Sequence, residues 1–273
     1  MNIYQEFVQI VDRLANKYPI PPISQVFFPK FYVDGQPKEC EFISLQLESG
    51  ACGISFVLLP NDARENYQDM ADSDLVGMNP VVLAADFGSD DPVKNMVGLS
   101  ALNAVCQEVM RVSEFKPDSA SDSVGMLDLQ PGDRVGMVGF FRPLVKRVED
   151  LGAELIIFEQ KEDLVSKNPH LNITLDSTLL KNCNKVLCTS TTVYNNTLDA
   201  VLGNCSPEAF ISVIGPTAGY FPDPLFARGV DVVGGTFIND GPAFMQRLRE
   251  EKKWGSATSK ISFQKSRYSG LFQ

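Results

Sequence analysis

The chain has 273 residues, 44% hydrophobic and 21% charged, a balance that fits a folded globular protein and excludes a disordered one. Lys and Arg number 24 against 34 Asp and Glu, a net charge of −10, and such a surface repels phosphate backbones and anionic lipid, so neither nucleic acid nor a membrane is expected as partner. No apolar run approaches the ~20 residues that span a bilayer, and the amino-terminal MNIYQEFVQIVDRL carries Glu6 and Asp12 within its apolar pattern, unlike a signal peptide, so a cytoplasmic location is expected.

Ile3, Phe7, Ile10, Val11 and Leu14 fall at helical spacing and predict an amphipathic helix over 3–17, ending before Pro19. Three strand-like runs follow. Val26–Val33 leads through Asp34-Gly35 to Cys40–Leu47, where Ile43, Leu45 and Leu47 alternate with Ser44, Gln46 and Glu48. Ser49-Gly50 then turns the chain into Cys52–Leu59, with Cys52, Ile54, Phe56 and Leu58 on one face, completing an antiparallel meander behind a helix. Residues 60–92, rich in Asp, Asn, Gly and Pro apart from PVVLAA, read as a long excursion with short helical pieces. Asp91-Pro92 opens a strong helix, PVKNMVGLSALNAVCQEVMRV. Its Gly98, Ser100, Ala101 and Ala104 leave room for another backbone, and its Asn103 is expected to be satisfied by neighbouring backbone.

EFKPDSASDS loses apolar periodicity and reads as a linker, placing the domain boundary near residue 120, with domains 1–119 and 120–273. Strands and helices then alternate. Strand 134–139 precedes a helix over 143–151, with Val145, Val148 and Leu151 facing inward and Gly152 as its C-terminal cap. Strand 154–158, a loop with Pro169 and His170, a short helix started by Asp176 and strand 185–189 come next. A helix capped by Asn195 or Asn196 stops at Gly203, and strand 209–214, the piece DPLFARG and strand 230–234 lead to a last helix with Asp240 as cap and Pro242 in its first turn. Residues from Trp254 read as a packed tail or an edge strand. The fold class is α/β: a small α+β domain followed by a doubly wound, mostly parallel sheet with helices on both faces.

After residue 130 each apolar run stops at small or polar residues: Gly139–Arg142, Glu159, Thr189–Thr192, Gly215–Thr217 and Gly234–Gly235. Parallel strands joined by helices share one carboxyl edge, where open α/β sheets bind ligands, so the second half reads as a ligand-binding domain. GMVGFFRP does not make the G-x-G-x-x-G turn of dinucleotide binders. Gly136 and Gly139 have the wrong spacing and Phe140 and Phe141 stand where a pyrophosphate needs close approach, although Glu159 lies where a ribose-binding acid would. A helix start near Pro143 beside Arg142 favours an anionic group, unless Arg142 pairs with a surface carboxylate. TSTTVYNNT holds more hydroxyls and amides than capping needs, and GPTAGYFPDP, with Gly215, Gly219 and three prolines, makes a stiff pocket wall. No dedicated metal site is expected, since His170 is the only His and Cys-x-x-Cys spacing is absent. Asp62, Glu65, Asp69, Asp72 and Asp74 read as a solvated acidic loop. No G-x-S-x-G elbow occurs, Cys188 has no evident basic partner, and the six cysteines read as buried free thiols.

The runs GDRVGMVGFFRPLVKRVEDLGAELIIFE, CTSTTVYNNTLDAVL and GPTAGYFPDPLFARGVDVVGG, the last followed by INDG, resemble the bacterial and archaeal family called the putative heavy-metal chelation domain. VGLSALNAV resembles the end of the partner domain found before it. The resemblance implies a Rossmann-like domain packed on a smaller enolase-amino-terminal-like domain, with an interdomain cleft accepting a metal chelate or a pterin-like ring. The positions matching its motifs are Gly139, Phe140, Arg142, Glu159, Thr189, Thr191, Thr192, Asn195, Asn196, Gly215 and Thr217, while Ser190 and Asn196 replace a usual glycine-bearing pattern. The expected function is binding or handling of a small anionic or metal-chelating molecule. Arg142 would draw anionic oxygens, Thr and Asn side chains would fix orientation, Phe140 would stack on a ring and Glu159 would bond a hydroxyl or ring nitrogen. The alternative is an enzyme using a nucleotide-like cofactor, adenosyl or nicotinamide, with Glu159 on its ribose; a third is a scaffold whose cleft receives a protein.

Overall fold

Asn2 opens helix α1 (Ile3–Lys17) with a capping box: its side chain accepts from Gln5 N at 2.9 Å and the Gln5 side chain accepts from Asn2 N at 3.3 Å. The buried stripe is Ile3, Phe7, Ile10, Val11 and Leu14, as the spacing predicts. The computed structural model describes residues 1–30, 32–33, 36–37, 42–60, 63, 67, 70–71, 73–113, 115, 117–119, 127–160 and 162–271. Cys40, Asp62, Glu65, Asp69, Asp72 and most of the expected linker lie outside them. The chain divides into two units. The first holds Met1–Ser119, Pro216–Phe221 and Gly235–Ile261; the second holds Ala120–Gly215, Pro222–Gly234 and Ser262–Gln273.

In the first unit the run predicted as one strand at 26–33 splits. β1 (Ile23–Phe27) ends early, and β2 (Tyr32–Val33) and β3 (Gln36–Pro37) pair with each other. β4 (Phe42–Leu47) joins β1 to β5 (Cys52–Phe56) in an antiparallel sheet of order β1-β4-β5. β5 stops at Phe56, which leaves Leu58 exposed rather than on its inner face. Ser44 and Gln46, expected to face water, are buried. They share a face with their partners Ile54 and Cys52, and Cys52 and Ile54 pack with Ile238, Phe244, Met245 and Ala257. The sheet is therefore covered on both sides.

α2 (Pro80–Ala84) is capped by Asn79, and α3 (Pro92–Val112) by Asp91, whose carboxylate accepts from Val93 N at 2.9 Å and Lys94 N at 3.2 Å. Every residue of α3 from Met96 to Met110 is buried, as in a helix surrounded by protein. Its small residues admit β5: a Cβ on Gly53 would lie 2.0 Å from Ser100 O. Its polar residues bond backbone from distant segments. Ser100 Oγ donates to Gly53 O (2.9 Å), and Asn103 Nδ2 donates to Ile54 O and Thr217 O (2.9 Å each), so backbone satisfies the Asn103 amide N–H groups while its buried Oδ1 has no partner among the described residues. None of the described helices is long and apolar enough to cross a membrane.

The larger sheet begins with the two-residue β6 (Asp118–Ser119). β7 (Arg134–Val138), α4 (Arg142–Asp150), β8 (Glu154–Phe158), α5 (Glu162–Lys167) and β9 (Ile173–Thr174) follow. A 3-10 turn capped by Asp176 then leads to β10 (Lys185–Thr189), α6 (Thr191–Tyr194), α7 (Leu198–Gly203), β11 (Phe210–Ile214) and α8 (Asp223–Phe226). The chain continues through β12 (Val232–Ile238) and α9 (Gly241–Arg249) to β13 (Thr258–Gln264). The strand order is β6-β13-β12-β11-β10-β7-β8-β9, and neighbours from β12 to β9 are parallel. Counted from β7, this is 3-2-1-4-5-6, the doubly wound order in which ligands bind where it reverses, here between β7 and β10. The fold is thus mixed α/β, with a small antiparallel sheet and a mostly parallel eight-stranded one.

Several local expectations change. β12 runs on through Gly234 and Gly235 to Ile238; Gly235 brings the strand so close to Ala218 that a Cβ there would lie 2.0 Å from Ala218 O. Leu151 is exposed, whereas Gly152 directly after it takes φ +78° and terminates α4 as expected. Residues 162–167 form a helix that buries none of its side chains, so its apolar pattern gave no signal. Asp240 does cap α9, accepting from Ala243 N at 3.0 Å. The segment from Trp254 supplies β13, one strand in from the edge that β6 forms.

Candidate functional site

The carboxyl ends of β7, β8, β10 and β11 carry most of the expected site residues, all within the second unit. Gly139 leaves β7 with φ +89°, a left-handed conformation that L side chains rarely adopt. It packs against Thr189 at the end of β10: a Cβ on Gly139 would lie 3.0 Å from Thr189 Cγ2. These two residues therefore meet at the strand-order reversal. Next to them Phe140 N donates to Glu159 Oε1 at 2.7 Å, and Gln160 N donates to Glu159 Oε2 at 3.1 Å. Glu159 thus bonds backbone instead of projecting an unengaged carboxylate.

The start of α4 is less open to an anion than its position suggests. Phe141, its N-cap, offers no side-chain bond; Phe141 N donates to Gly139 O (3.2 Å), Leu144 N donates to Phe141 O (2.8 Å), and Pro143 has no N–H. Arg142 is exposed and makes no salt bridge among the described residues, so its guanidinium is the available cation of this turn.

After β10, Thr189 Oγ1 donates to Thr191 Oγ1 at 3.1 Å and accepts from Thr191 N at 3.3 Å. Thr192 Oγ1 donates to Thr189 O at 2.7 Å. With its amide turned so that Nδ2 faces the carbonyls of Thr191 (3.0 Å) and Thr192 (3.2 Å), Asn195 closes the end of α6. Neither Asn195 nor Asn196 caps α7; Thr197 holds that position without a side-chain bond, and Asn196 makes the connection at φ +58°. Thr192 and Asn195 are thus spent on local structure, while the half-buried Thr191 hydroxyl, an acceptor from Thr189, keeps its own hydrogen to donate.

Gly215, at the end of β11, faces Ser190, whose Oγ would lie 2.0 Å from a Cβ on Gly215. The bulk of Ser190 is accommodated because its neighbour has no side chain. Thr217 falls outside the second unit. It belongs to the first unit, where it is buried and its carbonyl accepts from Asn103. In the same loop Ala218, Tyr220 and Phe221 are buried.

Burial, ahead of every other cause, pushes the Cys188 and Cys52 thiols up from 9.0 to about 12 and that of Cys205 to about 11. At neutral pH all three are protonated and poor nucleophiles or soft-metal ligands. Their stabilising contribution is complete below pH 9.0, the ordinary thiol value, and declines as pH rises from there through about 12, because the unfolded chain releases these protons first. Iodoacetamide at mildly alkaline pH is expected to leave Cys52 and Cys188 unlabelled in the folded protein and to label both in urea, as peptide mass spectrometry would read. Labelling at the same rate in both states would contradict this.

A two-unit α/β protein with a doubly wound sheet and a polar cluster at its strand-order reversal is the class that fold and site define. The chain belongs to the family described as putative heavy-metal chelation, whose models match residues 40–106 and 122–266. An uncharacterized protein of Methanocaldococcus jannaschii is 26% identical over 153 residues, 56% of this chain and 58% of that protein, so the match spans little more than half the relative's length. Two solved structures from the same family, both of unknown function, share the fold. The one from Pyrococcus horikoshii has a TM-score of 0.69 at 16% identity, covering 96% of this chain and 100% of its own. That from Desulfitobacterium hafniense has 0.65 at 20% identity, covering 95% and 98%. The family name points to metal, yet among the described residues no three His, Cys, Asp or Glu side chains are placed to hold an ion, and burial keeps the thiols protonated. The donor set of the described residues does not fit a bare metal ion.

Proposed function

We propose that this chain binds a small molecule carrying dispersed anionic or chelating groups, a metal chelate or a pterin-like ring, at the carboxyl edge of its parallel strands. The observation that carries the reading is the meeting of Gly139 and Thr189 at the strand-order reversal, with Arg142, which makes no salt bridge among the described residues, and the Thr191 hydroxyl close by in sequence. Arg142 supplies the charge and Thr191 a donor, and the half-buried Phe140 offers a face for stacking. A small-molecule partner suits a chain of net charge −10 better than nucleic acid or a membrane does. The five described cysteines are free thiols, which suits the reducing cytoplasm.

A thermal-shift panel of metal chelates, pterins, adenosyl and nicotinamide compounds tests this reading, because a ligand at ~100 times its Kd stabilises by ~2.7 kcal/mol. The Arg142→Ala variant is expected to weaken the ligand so found by ~1.5–3 kcal/mol, the worth of a charge-assisted bond. Unchanged affinity would remove Arg142 from the site. The second reading, an enzyme with a nucleotide-like cofactor, draws on the 3-2-1-4-5-6 order and on Glu159 standing where a ribose-binding acid would. Stabilisation by adenosyl or nicotinamide compounds alone would favour it.

A further inference from the structure

In a sheet of this order the turn after the first strand is where a dinucleotide's pyrophosphate docks on backbone N–H groups, and the acid ending the second strand turns outward to a ribose. Glu159 ends the second strand, yet its carboxylate turns back to the first: Oε1 accepts from Phe140 N at 2.7 Å and Oε2 from Gln160 N at 3.1 Å. The shorter contact has the length of a charge-assisted bond. Two other donors of the turn are committed, since Phe141 N and Leu144 N bond carbonyls, and residue 143 is proline. A phosphate entering here must displace a carboxylate or sit against one, and like charges in contact repel.

We propose that Glu159 is a positioning and specificity-determining residue: it acts as the turn's own anion, fixes the Phe140 backbone, and excludes pyrophosphate-bearing cofactors from the strand-order reversal. The inference deepens the proposed function and rests on it for the presence of a ligand at this edge. It narrows that ligand to molecules that reach Arg142 without bringing a phosphate to Phe140. Each carboxylate oxygen keeps a further lone pair, so a ligand N–H or hydroxyl is welcome beside it where another anion is not.

The amide of Phe140 reports the contact in protein without any physiological ligand. In 15N-resolved NMR spectra, its resonance in the wild type is expected downfield and indifferent to inorganic pyrophosphate. In Glu159→Ala it should move upfield, return when formate is added as a replacement carboxylate, and shift on addition of pyrophosphate. The variant should bind pyrophosphate at least about tenfold more tightly than the wild type, since the competitor removed makes a charge-assisted bond. Glu159→Gln retains an acceptor for Phe140 N while removing the charge. It should fold even if the alanine variant does not, and should also bind pyrophosphate more tightly than the wild type. A Phe140 amide that is identical in the wild type and a folded Glu159→Ala variant, or pyrophosphate bound equally well by the wild type and either variant, would overturn the proposal. A failed ligand panel or an inert Arg142→Ala would instead count against the proposed function and leave the amide measurements standing.

Discussion

Gly53→Ala is expected to cripple the first unit. Its Cβ would lie 2.0 Å from Ser100 O and 2.3 Å from Ala104 N, both backbone atoms inside α3, so no side chain can rotate aside to make room. Either β5 backs away from the helix, breaking the 2.9 Å bonds from Ser100 Oγ to Gly53 O and from Asn103 Nδ2 to Ile54 O, or α3 deforms along its buried length. Overpacking usually costs ~1–3 kcal/mol, and a rigid clash with lost buried bonds belongs at or beyond the top of that range, about 4 kcal/mol. Set against ~5–15 kcal/mol of total stability, this is enough to populate the unfolded unit. Trp254, the only Trp, lies in the same unit and meets Phe244 edge-on at 5.4 Å, so its fluorescence in urea reads the loss. Gly203→Ala is the control: nothing lies within 4 Å of a Cβ at that helical position, and the change should be neutral or slightly stabilising. A Gly53→Ala midpoint matching that of the control would mean that β5 and α3 do not approach as described.

Much of this architecture is legible in the sequence, because helical spacing and strand-end chemistry are local signals. The stripe Ile3, Phe7, Ile10, Val11 and Leu14, the small residues of α3 and the parallel strands β7, β8, β10 and β11 all follow from patterns within a dozen residues of one another. What the pattern misses is set by distant chain. The alternation in β4 predicts Ser44 and Gln46 outward, and nothing near them shows that Phe244 and Met245 belong to the cluster covering their face of the sheet. Likewise the prolines and glycines of 215–224 predict a stiff loop but not the burial of Ala218, Tyr220 and Phe221 within it. The apolar letters in that loop were the available signal.

At the candidate site, position is legible and direction is not. Glu159, Thr189 and Gly215 stand at strand ends as expected, but whether a side chain faces outward depends on which backbone donors lack partners. Phe140 N has none within its own turn, and a carboxylate within reach satisfies it. Thr192 and Asn195 likewise turn to nearby backbone, Thr192 Oγ1 to the carbonyl of Thr189 that ends β10 and the Asn195 amide to the carbonyls of Thr191 and Thr192. The surplus of polar groups in TSTTVYNNT is therefore smaller than a count of its side chains suggests.

The same accounting makes Gln107 a residue whose loss the first unit should feel sharply. Its amide behaves like a section of neighbouring strand: Nε2 donates to Thr236 O and Oε1 accepts from Ile238 N, both at 2.9 Å and both more than a hundred residues away in sequence. With Gln107 1% exposed, water cannot take over either bond. Gln107→Leu fills a comparable volume but strands one N–H and one carbonyl, each costing ~1–3 kcal/mol when buried and unpaired, for about 4 kcal/mol together. Gln107→Glu separates the bonds from the packing. One carboxylate oxygen can still accept from Ile238 N, but the other faces the Thr236 carbonyl and repels it unless it carries a proton. Burial and that carbonyl both favour the neutral acid, so the pKa of the introduced group is raised on folding. The stability it provides is then fully present below the unfolded value and lost as pH rises through the folded one. Urea midpoints of Gln107→Glu should accordingly approach the wild type at acid pH and fall toward those of Gln107→Leu at neutral pH, while the leucine variant keeps a constant deficit. A glutamate variant as stable as the wild type at both pH values would mean that the amide does not hold β12 in this way.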